Sequence, residues 1–225
     1  MHNSEELKVI YESRYKNASD QKGKREIVLY QKYRKLLVSK KFQTNVHLLD
    51  LGCGIGYKTV GFSLPKENIL AIDLSENAID FCISQHKIDK VDFKAMDAFE
   101  VLGEFELITA FGFSLFNTDN NDRFIEVLEH FYTNNLSKEK GNMLLIGSFT
   151  DFSGGGKDSW YLHTKSDIEY IQKKIEEQFP LKVSIVFPHK MISNYFGFGF
   201  YNFAAEILKL IIKRKRTFFI RIEHE

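Results

Sequence analysis

Short apolar runs alternate along this chain with longer stretches in which apolar residues recur every three or four positions. The runs fall at residues 46–51, 69–72, 91–96, 106–111, 141–149, 181–187 and 217–223. They are rich in Val, Ile, Leu and Phe, and their length suits strands buried on both faces. Between them the period lengthens. Residues 25–39 place Ile27, Tyr30, Tyr33 or Arg34, and Leu37 at helical spacing, which predicts a helix with a basic outer face. A helix begins near Tyr57. Another spans 76–86, with Ser75 as its cap. A third covers 122–136. A fourth covers 165–179, with Ile168, Ile171 or Gln172, and Ile175 on one face and Pro180 as its stop. Strands and helices that alternate in this way predict an α/β fold with a doubly wound, mostly parallel sheet.

Three stretches do not fit a plain alternation. Residues 5–20 are charged and punctuated by Tyr11 and Tyr15. Residues 150–164 form a loop with three glycines and Trp160, the sole tryptophan, and a loop of that length beside the strand ends is a candidate lid or substrate loop. After Pro188 about thirty residues separate the sixth strand from the seventh. They hold Phe196, Phe198, Phe200, Tyr201 and Phe203, then a predicted helix over 202–213.

Chemistry concentrates where the first strand ends. Leu48-Leu49-Asp50-Leu51-Gly52-Cys53-Gly54-Ile55-Gly56 reads as a buried strand running into a tight turn and then a helix. Glycines at every second position let the backbone take positive φ and approach a ligand closely, and the helix start offers amide donors. The second strand ends at Asp73, 17 residues after Gly56, where an acid accepts hydrogen bonds from ribose hydroxyls. The third strand ends in Asp97-Ala98 and the fourth in Phe111, followed by Gly112 to Asn117. Ligands of open α/β sheets gather at these carboxyl ends.

Asp50 to Gly56, written Asp-x-Gly-x-Gly-x-Gly, resembles the first motif of class I S-adenosylmethionine-dependent methyltransferases. The segment Ala71-Ile72-Asp73-Leu74-Ser75-Glu76-Asn77 resembles the second block, and Asp97-Ala98 the third. The resemblance spans about residues 46–187, with the seventh strand at the end. It implies a seven-stranded Rossmann-like sheet whose last strand is antiparallel, an N-terminal helical cap over 1–41, a cofactor domain over 42–225, and an insertion at about 189–215. It also implies S-adenosyl-L-methionine as cofactor and S-adenosyl-L-homocysteine as product. The glycine loop Gly52, Cys53, Gly54 and Gly56 would wrap the methionine end, with Asp50 facing the ammonium. Asp73 would bind ribose, Leu74 would pack on adenine, and Asp97 and Ala98 would lie beside the base. Tyr15 and Phe111 complete the expected cofactor set. Ser114, Asn117, Trp160, Tyr195 and Phe198 are the expected acceptor contacts. His163, His189 and Asp151 are the candidate general bases, each in a loop expected to border the pocket.

Composition narrows the reading. A net charge of +1 argues against a nucleic-acid partner, although residues 1–41 carry 11 Lys or Arg against 5 Asp or Glu. A second basic cluster is Lys209 with Lys213 to Arg216. Two cysteines, Cys53 and Cys82, set no disulfide framework, and with scattered histidines they set no metal site. No apolar run is long enough to span a membrane, which makes a cytoplasmic protein the expectation. Neither Asp-Pro-Pro-Tyr nor Asn-Pro-Pro-Tyr follows the fourth strand, which disfavours methylation of base amino groups. The expected function is methylation of a small molecule. RNA or protein methylation, a non-catalytic cofactor-binding module, and an NAD-dependent oxidoreductase are the alternatives. The aromatic insertion would roof the acceptor pocket, pair two subunits as a homodimer, touch a membrane surface with the basic run beside it, or simply pack its helix on the sheet edge.

Overall fold

The computed structural model describes residues 4–16, 23–38, 46–64, 68–86, 90–138, 143–150, 156–157, 160–186 and 216–224. Seven strands form one sheet: β1 (His47–Leu51), β2 (Asn68–Asp73), β3 (Val91–Ala95), β4 (Leu107–Phe111), β5 (Met143–Thr150), β8 (Leu181–Val186) and β9 (Arg216–His224). Its order is β3-β2-β1-β4-β5-β9-β8. The pairs β1–β2, β1–β4, β2–β3 and β4–β5 are parallel, while β9 runs antiparallel to both β5 and β8. The seven-stranded, Rossmann-like architecture with one antiparallel strand is therefore the one expected from sequence.

The helices are α1 (Ser4–Tyr15), α2 (Gly23–Leu37), α3 (Tyr57–Phe62), α4 (Glu76–Gln85), α5 (Asn121–Asn134) and α6 (Lys165–Gln178). They cover both sheet faces, so successive strand residues serve opposite cores. Leu48, Phe111, Leu145 and Phe219 pack with Tyr30, Tyr33 and Leu37 of α2 and Ile79 of α4. Leu49, Leu51, Phe218, Ile220 and Ile222 pack on the other side with Phe124, Leu128 and Phe131 of α5 and Ile168, Ile171 and Ile175 of α6. That double burial is why the strands read as continuous apolar runs. Gly61 lets α2 and α3 approach closely, since a Cβ there would lie 2.6 Å from the Ile27 carbonyl oxygen.

Tyr33 and Arg34, the two alternatives for the inner face of α2, are both buried. Arg34 is held there in spite of its charge. It is 1% exposed, donates from Nη1 to the Phe62 carbonyl, and stacks on the Phe62 ring. Within the predicted loop 150–164, β6 (Gly156–Lys157) and β7 (Trp160–Tyr161) pair as a small antiparallel hairpin. The aromatic insertion and its helix over 202–213 lie outside the described residues.

Candidate functional site

A cleft of about 790 Å³, open mouth included, lies at the carboxyl ends of β1, β2, β3 and β4. The floor is Gly52, Ile72 and Asp73. One side is Leu74 with Met96, Asp97, Ala98 and Phe99. The other is Gly112 to Leu115, with Arg123 of α5 beside it. The outer wall is α1, through Leu7, Tyr11, Arg14 and Tyr15.

The glycine loop is shaped for close approach. Gly52 and Gly54 have φ of 68° and 54°, in the left-handed region that side chains disfavour. A Cβ on Gly52 would lie 2.9 Å from the Phe113 ring, and one on Gly54 would lie 2.8 Å from the Tyr15 hydroxyl. The Gly54 N–H donates to Asp73 Oδ2 at 2.8 Å. Asp73 Oδ1 accepts from the Ser75 amide at 3.0 Å. Asp73 is 8% exposed, and burial pushes its carboxyl up while the Ser75 and Gly54 amides pull it back. A carboxylate has about four lone-pair sites, so two bonds leave it able to accept from ligand hydroxyls. Asp97 Oδ1 caps the short 3-10 turn Ala98–Glu100 by accepting from the Phe99 amide at 3.0 Å. This holds Asp97 and Ala98 in the cleft wall. Burial and the nearby Asp73 charge push the Tyr15 phenol up, so it stays protonated as a donor.

Several sequence-chosen residues sit elsewhere. Asp50 is 2% exposed and does not line the cleft. Its oxygens accept from Thr59 Oγ1 at 2.6 Å and Thr109 Oγ1 at 2.7 Å, tying β1 to α3 and β4. Burial pushes its carboxyl up to about 6 despite those bonds. Cys53, Gly54 and Gly56 form the loop behind Gly52. The Cys53 and Cys82 thiols both donate to the Gly54 carbonyl, at 3.6 and 3.3 Å, and neither is in a disulfide. Phe111 packs against Tyr30, Phe62 and Phe219 in the core. Ser114 lines the cleft, whereas Asn117 is buried and donates to the Phe113 carbonyl at 2.8 Å. His163 is 1% exposed, and its Nε2 lies 2.8 Å from the Phe116 carbonyl, so that nitrogen carries the hydrogen. Burial lowers its basicity. These contacts make His163 a strut under the loop after β4. Trp160 pairs with Lys157 through backbone in the hairpin. His189, Asp151, Tyr195 and Phe198 lie outside the described residues.

Sequence reasoning missed Arg123, Phe99 and Met96 in the cleft wall. Arg123 lies 5.8 Å from the Phe99 ring centre and pairs with Glu126 at 2.9 Å. Its position at the start of α5, just past the strand-four loop, was the available signal. Among the described residues, no group of three or more His, Cys, Asp or Glu is placed to hold a metal ion. Likewise, no described helix is long and apolar enough to cross a membrane.

Strand order and cleft position define a Rossmann-like fold of the methyltransferase type. Residues 48–133 match the family described as methyltransferase domain. Among solved structures, the fold is similar to magnesium protoporphyrin IX methyltransferase from Synechocystis PCC 6803 with bound SAM, at 11% identity and a TM-score of 0.62, covering 100% of this chain and 98% of that one. It is also similar to the plantazolicin methyltransferase BpumL in complex with a monoazolic analogue and SAH, at 20% identity, TM-score 0.60 and 99% and 91% coverage. The DhpI–SAH complex aligns at 13% identity, TM-score 0.63 and 97% and 95% coverage. No curated protein matches the chain. The matched segment carries β1 to α5, and so the strand ends that form the cleft.

Proposed function

We propose that the protein transfers a methyl group from S-adenosylmethionine to a small-molecule acceptor by in-line displacement. The observation that carries this reading is the cleft at the strand ends, with the glycine loop and Asp73 on its floor and Asp97-Ala98 in its wall. The residues fit the cofactor: a side chain at Gly52 or Gly54 would fill the cradle, and Asp73 keeps acceptor capacity. The bound cofactor supplies a methyl already activated by its sulfonium. In this reading Asp73 accepts the ribose hydroxyls, and Leu74, Asp97 and Ala98 flank the adenine. Tyr15 closes over the glycine loop and Ser114 faces the acceptor. Residues 1–41 act as a cap on the domain formed by 42–225.

The protein's own contribution is alignment and exclusion of water. Holding nucleophile, methyl carbon and sulfur in line contributes several kcal/mol of the roughly 7–11 attributed to proximity. A base is needed only for a protonated acceptor, and it adds about 10²–10⁴-fold. A small acceptor is supported by the wall that α1 makes across the cleft and by the near-neutral charge. Two of the similar enzymes are named for magnesium protoporphyrin IX and plantazolicin. Two thiols outside any disulfide support a reducing, cytoplasmic setting.

The test is to incubate the protein with methyl-labelled S-adenosylmethionine and a cell extract, then separate the products by size and nuclease or protease treatment. Label confined to the low-mass fraction supports the reading. Label in RNA or protein overturns the acceptor class. Cofactor binding without any transfer favours a non-catalytic module.

A further inference from the structure

The residue that ties α1 to the rest of the molecule does not line the cleft. Glu12 accepts from the Glu76 amide at 2.6 Å, the Asn77 amide at 3.2 Å and the Ser75 hydroxyl at 3.0 Å, and the Asn77 side-chain amide also donates to it. The amides of Glu76 and Asn77 belong to the first turn of α4, where backbone donors have no partner within the helix. Ser75 already caps α4 locally, its Oγ accepting from the Ala78 amide at 3.2 Å. Glu12 is therefore a second cap, delivered from another helix. Burial pulls its carboxyl up, but the surrounding donors win and hold it below the usual range.

The same bonds lead into the cleft. Ser75, held by Glu12 through its hydroxyl, donates its amide to Asp73, and Asp73 takes the Gly54 amide. Tyr11, Arg14 and Tyr15, the neighbours of Glu12 on α1, face the cleft. Leu7 is buried and Tyr15 meets the glycine loop, whereas Val9 and Ile10 are 71% and 40% exposed. The Lys8–Glu76 pair at 2.7 Å is solvent-exposed, and such pairs contribute little. A helix of 12 residues is also marginal on its own.

We propose that Glu12 is a positioning residue: it docks α1 as the outer wall of the cleft and so sets how long the cofactor stays bound, without touching it. This rests on the cofactor reading above. Glu12→Gln keeps the shape but loses the charge and turns an amide group toward donors, while Glu12→Ala removes the cap. Lys8→Ala is the control, expected to behave as wild type.

Hydrogen exchange on the cofactor-free protein reads the docking directly. In both Glu12 variants the α1 amides are expected to exchange faster while β4 and β5 keep wild-type protection. Stopped-flow release of S-adenosylhomocysteine is expected to speed up by about tenfold or more, because changes of this kind act mainly on dissociation. Unchanged α1 exchange would overturn the docking. Freed α1 with an unchanged release rate would overturn the positioning role. If wild-type protein binds neither S-adenosylmethionine nor S-adenosylhomocysteine, the cofactor reading fails, and the exchange experiment still decides whether Glu12 holds α1.

Discussion

Replacing Asp73 should separate cofactor binding from loop structure. The carboxylate is 8% exposed and already holds the Gly54 and Ser75 amides at 2.8 and 3.0 Å. Asp73→Ala removes the acceptors for the ribose hydroxyls, and hydrogen bonds to a charged group contribute about 1.5–3 kcal/mol. The dissociation constant for S-adenosylhomocysteine should rise by about 10- to 150-fold. The same change leaves two amides without their acceptor, at about 1–3 kcal/mol each if they stay dry. Because the Asp73 side chain itself lines the cleft, water can enter the space it leaves, so the stability loss should sit at the low end. Asp73→Asn keeps the shape and one carbonyl oxygen, and should bind more weakly than wild type while unfolding closer to it. Calorimetric titration gives the affinity, and thermal unfolding gives the stability. Unchanged affinity for either variant, with a wild-type melting temperature, would refute the ribose role.

Other perturbations test the frame around the site. Asp50 has a folded pKa of about 6 against 3.8, so its contribution to stability is full below pH 4 and is lost as pH rises through 6, by up to about 3 kcal/mol. Asp50→Asn should therefore gain on wild type between pH 4.5 and 7.5 in urea unfolding, and a constant gap would contradict the assignment. Asp167 behaves oppositely. Burial raises its pKa, but bonds from Asn121, Thr164 and Tyr161 win and hold it at about 2, so its contribution is present above pH 4 and is lost as pH falls toward 2. Asp167→Asn should flatten that acid limb in acid titration of the far-UV signal. Gly54→Ala places a Cβ 2.8 Å from the Tyr15 hydroxyl at a φ of 54°, which should cost about 1–3 kcal/mol in strain and weaken cofactor binding by displacing Tyr15. His163→Gln should lower the melting temperature yet leave the pH profile of methyl transfer intact, and loss of its acidic limb would restore His163 as a base.

Features carried by local pattern were readable before the fold was known. The apolar runs gave the strands, the alternate glycines gave the turn after β1, and Asp73 and Asp97 followed from their places at strand ends. Features set by long-range packing were not. The helical pattern left Tyr33 or Arg34 for the inner face, and only the approach of α3 brings Arg34 in as well, onto Phe62. Asp50 reads as a ligand-facing acid, but Thr59 and Thr109 arrive from two other elements and take both oxygens. His163 lies in a loop by sequence, while in space it is packed against Phe124 and Tyr161 beneath the strand-four loop. Glu12 meets its partners more than sixty residues away, a distance across which no periodicity reports.

The central claim is that the cleft takes S-adenosylmethionine. Titration of the purified protein with S-adenosylmethionine, S-adenosylhomocysteine and NAD by calorimetry tests it most directly. Binding of the first two in the micromolar range and none of NAD is the expected result. Binding of NAD, or of none of the three, would contradict it.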